Sequence, residues 1–198
     1  NYGAMGVNSH TRGIHTGASN GPHGTNNTID YITIQSFGNA VDFGDCTVLH
    51  KAPGGASNGV RGLIAGGNTG PSPTPHGAAQ NTIDYVTIAT TGNAQDFGDV
   101  IQPASSGSAV ASATRAVCGG ASTNDQTYIT IASKGNATDF GSMLVARFSY
   151  AAMTDSVRGV WGGGDGSPTQ FNNIDYFNIE TGGTCADFGD LLALVQQT

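Results

Sequence analysis

One phrase recurs four times in this chain of 198 residues and constrains its fold more than any other feature. The most complete copy is NTIDYVTIATTGNAQDFGD, at residues 81–99. Edited copies stand at residues 28–45, 126–141 and 173–190, and read TIDYITIQSFGNAVDFGD, QTYITIASKGNATDFG and NIDYFNIETGGTCADFGD. Repeats with a period of about 20–50 residues are typical of solenoids and propellers. We therefore predict four structurally equivalent units.

Each copy contains the triplet Asp-Phe-Gly, and the position of its phenylalanine gives the length of the period. It occurs at Phe43, Phe97, Phe140 and Phe188, at intervals of 54, 43 and 48 residues. The 10 residues after the last copy and the 43 residues up to the first together make 53, so the period survives joining the two ends. An open solenoid would need distinct end caps. The spacing predicts a closed ring with Asn1 beside Thr198; separated termini would favour an open arc, or half of an eight-bladed ring made by two chains.

Each unit contains four extended segments, and 31 glycines with only 11% charged residues favour an all-β protein with many turns. The first segment is small and apolar, as an innermost strand near a narrow axis requires, and the second begins at a repeated arginine. Glycine and asparagine between the third and fourth segments predict a tight antiparallel hairpin. The third segment is apolar on both faces, with Ile83 and Tyr85 opposite Val86 and Ile88. A strand buried on both faces predicts a sheet packed between two others.

These features predict an all-β fold, a β-propeller of four blades with four antiparallel strands each. The single domain spans residues 1–198, in units of approximately 1–49, 50–103, 104–147 and 148–198. Paired glycines after the second strand, followed by a tyrosine in the third, resemble the Kelch repeat. The usual tryptophan after the tyrosine is missing, and Phe97 follows Tyr85 by 12 residues instead. The wording is more similar to tandem Kelch-like repeats of structural and tail-fibre-associated proteins of marine bacteriophages, which implies a virion or extracellular location.

Charge and hydropathy argue against nucleic acid and membranes as partners. The net charge is −7 with seven basic residues, and four of these are the repeated arginines Arg12, Arg61, Arg115 and Arg158. No basic stripe remains for nucleic acid, and no apolar run is long enough for membrane insertion. Because a buried arginine needs carboxylates or carbonyls, we expect the repeated arginines to be structural, paired with carboxylates such as Asp42 or Asp96.

The sequence contains no recognisable catalytic motif. Cys46, Cys118 and Cys185 occupy different repeat positions without a CxxC pair, so we expect buried free thiols. The histidines do not repeat in register, and His15 and Trp161 fall at core-like positions. We therefore predict no enzyme activity, catalytic residue, cofactor or metal site.

The connections between the second and third segments differ most among units and are rich in polar residues. Variable polar loops on a rigid scaffold suit ligand recognition. We predict that ligand-binding residues lie in two long loops, namely His23, Asn26, Asn68 and His76. The expected function is a non-catalytic module that binds a glycan or another host-surface ligand. The alternatives are a purely structural module of a fibre, with self-association or neighbouring fibre domains, and an enzyme with a site at the propeller mouth.

Overall fold

The computed structural model describes residues 4–16, 27–69, 78–104, 107–120, 123–166 and 169–194. These residues form sixteen strands and no helix. The strands make four separate sheets of four strands, each antiparallel and ordered as in the chain. The predicted all-β class and the four-stranded repeat unit are confirmed, whereas Asn1 and Thr198 lie outside the described residues.

One sheet forms within each repeat unit. Sheet 1 contains β1 (Met5–Asn8), β2 (Arg12–Thr16), β3 (Thr28–Thr33) and β4 (Val41–Asp45). Sheet 2 contains β5 (Gly54–Ser57), β6 (Arg61–Ala65), β7 (Thr82–Thr87) and β8 (Gln95–Asp99). Sheet 3 contains β9 (Ala109–Ala111), β10 (Arg115–Gly119), β11 (Asp125–Thr130) and β12 (Thr138–Ser142). Sheet 4 contains β13 (Ala151–Thr154), β14 (Arg158–Gly162), β15 (Asn173–Asn178) and β16 (Ala186–Asp190).

The sheets pack face to face in chain order. In β7, Ile83 belongs to the apolar cluster shared with sheet 3, whereas Val86 and the following Ile88 belong to the cluster shared with sheet 1. This third strand is therefore buried on both faces, as its composition predicts. A third cluster joins sheets 3 and 4 around Phe140 and Trp161. Among the described residues, no such cluster joins sheet 4 to sheet 1.

The first strands of neighbouring sheets also contact each other, β1 with β5, β5 with β9, and β9 with β13. Their small residues allow this approach. A Cβ on Gly54 would lie 3.6 Å from the Cβ of Ala109, which is ordinary van der Waals contact. The small first segments are thus explained by crowding of one strand from each sheet.

A three-part arrangement, which we call the inter-sheet contact, recurs at every boundary between consecutive sheets. First, the repeated arginine donates to a carbonyl oxygen at the end of the next sheet's third strand. The pairs are Arg12 with Ile88 at 3.0 Å, Arg61 with Ile131 at 2.6 Å and Arg115 with Glu180 at 2.7 Å. Each of these guanidinium groups also lies over a tyrosine of its own sheet. The expected pairing with Asp42 or Asp96 is wrong, because both of these carboxylates are exposed and backbone carbonyls take their place.

Second, the repeated phenylalanine packs against the next sheet, as Phe43 does in the cluster containing Val86 and Ile88. Third, the glycine–asparagine segment bonds backward to the preceding sheet. Gly92 N donates to Phe43 O at 2.7 Å, and Ala94 N donates to Asp45 O at 2.8 Å. The third and fourth strands are antiparallel neighbours, as expected, but the expected tight turn at the glycine–asparagine segment is wrong. β7 ends at Thr87 and β8 begins at Gln95, and the chain turns where Thr90 N bonds Thr87 O.

Candidate functional site

Three of the four sequence-predicted ligand residues, His23, Asn26 and His76, lie outside the described part of the chain. The remaining residue, Asn68, is only 7% exposed. Its backbone N and O both bond the backbone of Lys51, at 2.8 and 3.0 Å. These bonds attach the start of the loop to the connection between sheets 1 and 2. Ligand contact by these four residues stays a prediction.

A buried histidine and a buried aspartate meet at the boundary between sheets 1 and 2. His50 lies in the connection after β4, and Asp84 lies at the bulge of β7. His50 Nδ1 is 2.6 Å from Gly66 O, so this nitrogen must donate, because a carbonyl oxygen only accepts. His50 Nε2 is 3.2 Å from Asp84 Oδ2, and both side chains are fully buried. Both ring nitrogens therefore lie within hydrogen-bonding distance of an oxygen acceptor.

Local hydrogen bonds favour the charged form of Asp84. Burial raises the pKa of this carboxyl, but the hydrogen bonds from His50 and Thr47 outweigh burial and hold the pKa below its usual value. Thr47 donates its backbone N–H to Oδ2 at 2.7 Å and its hydroxyl to Oδ1 at 2.5 Å. Asp84 thereby connects sheet 2 to the chain that leaves sheet 1.

Cys46 completes a buried group of three potential metal ligands with His50 and Asp84, whose ligand atoms lie within 4.8 Å of one another. Burial raises the pKa of the Cys46 thiol to about 11, and Thr16 Oγ1 lies 3.4 Å from its sulfur. Since His50 and Asp84 also have hydrogen-bond partners within the chain, we describe the group as a structural connection between sheets 1 and 2.

The boundary between sheets 3 and 4 carries a comparable pair in other residues. Arg147 Nη2 lies 2.8 Å from Asp175 Oδ2, and both side chains are fully buried. Arg147 Nη1 also donates to Gly163 O at 3.2 Å and to Asn173 O at 3.0 Å. Burial raises the pKa of Asp175, and the Arg147 guanidinium opposes that shift. The same position in the repeat thus holds a base and an acid in two of the three boundaries.

The middle boundary, between sheets 2 and 3, has neither charge. Ala104 stands at the position of His50 and Arg147, seven residues after the repeated phenylalanine, and Thr127 stands at the position of Asp84 and Asp175. The strand register supports the second equivalence, because Thr127 pairs with Cys118 as Asp84 pairs with Ile64. Where the long basic side chain is missing, the structure contains a cavity of about 330 Å³.

This cavity, which we call the sheet 2–3 cavity, combines apolar and polar surfaces. Apolar lining comes from Val100, Pro103 and Ala104 and from the largely buried Cys118, whose pKa burial raises to about 12. Polar lining comes from Thr127 and from three exposed residues, namely Thr123, Asp125 and Asp139. Part of the wall belongs to the connection between the second and third strands of sheet 3. The cavity therefore adjoins the shortest of the variable connections, whereas the ligand-binding residues predicted from the sequence lie in two long ones.

Sequence reasoning missed both the buried pairs and the cavity. In each pair the base lies in the connection between two sheets, outside the repeated phrase, so comparison of the repeated phrase alone gives no signal. The sequence does contain a signal for these pairs, because the residue types at the base position and at the acid position change together. At the three boundaries between consecutive sheets, the base and the acid are present together or absent together, as His50 with Asp84, Ala104 with Thr127, and Arg147 with Asp175.

Comparison with known proteins adds no assignment to this geometry. No protein-family model matches the chain, and no match is found among curated proteins. The described residues include no helix that is long and apolar enough to cross a membrane.

Proposed function

We propose that the four sheets are Kelch-like blades of a β-propeller that serves as a non-catalytic ligand-binding module. The order of the sheets, the contacts between successive first strands and the recurrent inter-sheet contact support the propeller arrangement. The observation that carries the binding function is the sheet 2–3 cavity. It forms at the one boundary of the three where the buried base and acid are replaced by Ala104 and Thr127.

The dimensions and chemistry of the cavity suit one small polar unit, such as a sugar residue of a glycan. Ligand pockets commonly measure about 300–1,000 Å³, and this cavity lies near the lower limit. Carboxylates accept hydrogen bonds from hydroxyl groups, and threonine hydroxyls both donate and accept. Asp125, Asp139 and Thr123 supply these groups, while Val100 and Pro103 offer apolar surface to the C–H groups of a sugar ring.

The proposed setting is a virion or the extracellular space, where the module would recognise a host-surface glycan. Support comes from the likeness of the repeated phrase to phage structural repeats. The acidic character of the chain, with a net charge of −7, also disfavours nucleic acid as the ligand. A purely structural role in a fibre is the alternative.

A variant that fills the cavity tests the binding function. Ala104→Arg combined with Thr127→Asp introduces the pair that already occupies the sheet 3–4 boundary. Ala132→Arg is the matched control, because it adds an arginine at an exposed position that does not line the cavity. We expect the wild-type chain and the control to bind the same glycans on an array, and the filled variant to lose at least tenfold in affinity by calorimetry.

Three outcomes would overturn parts of this proposal. Equal glycan binding by the filled variant would exclude the sheet 2–3 cavity and direct attention to the loops carrying His23, Asn26, Asn68 and His76. Absence of wild-type binding across the array would reject the glycan and favour the structural alternative. Turnover of an array polysaccharide would reject the non-catalytic assignment.

A further inference from the structure

The two end sheets carry the unpaired halves of the inter-sheet contact. From this we infer that a second copy of the chain completes both ends, with sheet 4 of each copy packing on sheet 1 of the other. The inference concerns assembly and does not depend on which ligand the sheet 2–3 cavity binds.

Sheet 4 carries the arginine and the phenylalanine that, in each preceding sheet, contact the next sheet. Phe188 is 56% exposed, whereas Phe43, Phe97 and Phe140 are 3–5% exposed. Arg158 lies over Tyr176 at 4.9 Å, as the other repeated arginines lie over their tyrosines. Unlike those arginines, it has no carbonyl partner within the described residues. Sheet 4 therefore carries the arginine and the phenylalanine of the contact without a receiving surface.

Sheet 1 presents the opposite half. Ile34 is 51% exposed, whereas its equivalents Ile88, Ile131 and Ile179 are at most 1% exposed. Ile32 is likewise exposed, although the equivalent Val86 is buried. Sheet 1 thus has the apolar surface onto which a repeated phenylalanine packs.

The backbone groups at the two ends are complementary as well. At the internal boundaries, Gly92 and Gly135 donate to the carbonyl oxygens of Phe43 and Phe97. The equivalent donor of sheet 1 is Gly38 N, and the equivalent acceptor of sheet 4 is Phe188 O. Neither has a backbone partner within the described part of the chain. A Cβ on Gly38 or on Gly189 would meet nothing within 4 Å, whereas one on Gly44 would be 2.6 Å from Gly92.

The composition of the two faces indicates what covers them. Each end lacks the surface that the other end provides, and the three internal boundaries show how these surfaces fit. A head-to-tail contact of this kind produces a ring if the rotation closes and a filament if it does not. Propellers typically have about 4–8 blades, so two copies with four sheets each reach the upper end of that range and three copies exceed it. We therefore expect a closed dimer with two identical junctions.

Light scattering coupled to size-exclusion chromatography measures the assembly directly. We expect a mass twice that of the 20.0-kDa chain, falling to one chain on dilution. Phe188→Glu and Ile34→Lys each alter one end, and each variant alone should be monomeric because both junctions of its dimer carry the change. Circular dichroism should show that both variants keep the wild-type spectrum. Val60→Glu, at an exposed position of the first turn of sheet 2, should leave the dimer intact.

Mixing the two end variants distinguishes a head-to-tail dimer from other associations. In a mixed dimer one junction is entirely wild-type, while the other places the introduced glutamate of one copy near the introduced lysine of the other. We expect dimers to reappear in the mixture at concentrations where each variant alone is monomeric. A wild-type chain that stays monomeric at all concentrations, dimers unaffected by both end variants, failure of the mixture to restore dimers, or a ladder of larger oligomers would each overturn the inference.

Discussion

Arg61 Nη1 donates a hydrogen bond to the carbonyl oxygen of Ile131 at 2.6 Å, from sheet 2 across to the residue that follows the third strand of sheet 3. The guanidinium also lies 4.6 Å from the centre of the Tyr85 ring. One side chain thus combines a charge-assisted hydrogen bond with a cation–π contact. This combination explains why an arginine recurs in every unit without a carboxylate partner.

Loss of this arginine should destabilise the chain. Arg61→Ala removes a hydrogen bond from a charged donor and should lower the free energy of unfolding by about 1.5–3 kcal/mol. Arg158→Ala removes the equivalent arginine, which bonds no carbonyl of another sheet in the described part of the chain, and should change stability by less than about 0.5 kcal/mol. Urea unfolding of the dilute chain measures both values. Equal effects would contradict the role of the arginine in joining sheets.

Close approach between sheets makes one glycine more critical than its counterpart. Gly98 has φ near +145°, and a Cβ there would lie 2.6 Å from the carbonyl carbon of Gly135. Gly189 has φ near +137°, but a Cβ there would meet nothing within 4 Å. Both alanine variants carry backbone strain, and we expect the clash to make Gly98→Ala about 1–3 kcal/mol worse. Thermal unfolding of the two dilute variants provides the comparison, and matching melting temperatures would show that sheets 2 and 3 are further apart.

The buried His50–Asp84 pair can be tested with the residues that replace it at the next boundary. His50→Ala leaves the buried Asp84 carboxylate without one of its hydrogen-bond partners and should cost about 1–3 kcal/mol. His50→Ala combined with Asp84→Thr reproduces the Ala104–Thr127 combination and should recover much of that loss. A double-mutant cycle on urea unfolding measures the coupling. Additive effects of the two substitutions would contradict a direct pair.

The lowered pKa of Asp84 predicts a specific acid dependence. A depressed folded-state pKa stabilises the native state fully above the unfolded pKa of about 3.9, and this stabilisation is lost as the pH falls through the folded value. The wild-type free energy of unfolding should therefore fall more steeply below about pH 4 than that of the His50→Ala/Asp84→Thr variant. Urea titrations from about pH 5 to about pH 2 span this window and give both slopes. Parallel slopes would mean that Asp84 does not contribute.

The strands and much of the core could be predicted from the sequence because they depend on local pattern. Alternating apolar faces identified β7 as a doubly buried strand, and the three cysteines are buried free thiols as expected. Trp161 is fully buried, as its alignment with core positions predicts. His15 occupies the same position but is exposed, because no sheet formed by the described residues covers that face of sheet 1. A repeat pattern assigns the same environment to every unit, including the end units.

Interactions between units could not be predicted in the same way. The acceptor for each repeated arginine is a backbone carbonyl, and any residue can provide one. The glycine–asparagine segment has the composition of a turn. Its sequence therefore does not reveal that its backbone bonds to the preceding sheet. The sheet 2–3 cavity depends on Ala104, which becomes informative only beside His50 and Arg147. The candidate site therefore required the three-dimensional packing of consecutive sheets.

We infer that the inter-sheet contact joins consecutive sheets and is left incomplete at sheets 1 and 4. Amide hydrogen exchange at Gly38 and at its equivalents in the other sheets tests this inference most directly. Gly92, Gly135 and Gly183 donate to the preceding sheet at 2.7–2.8 Å, whereas Gly38 has no such bond within the described residues. Mass spectrometry should find peptides around the first three protected at all concentrations. The peptide around Gly38 should exchange rapidly in dilute protein and slow on concentration. Equal protection of Gly38 in the dilute monomer would contradict the account, because sheet 4 of the same chain would then cover sheet 1.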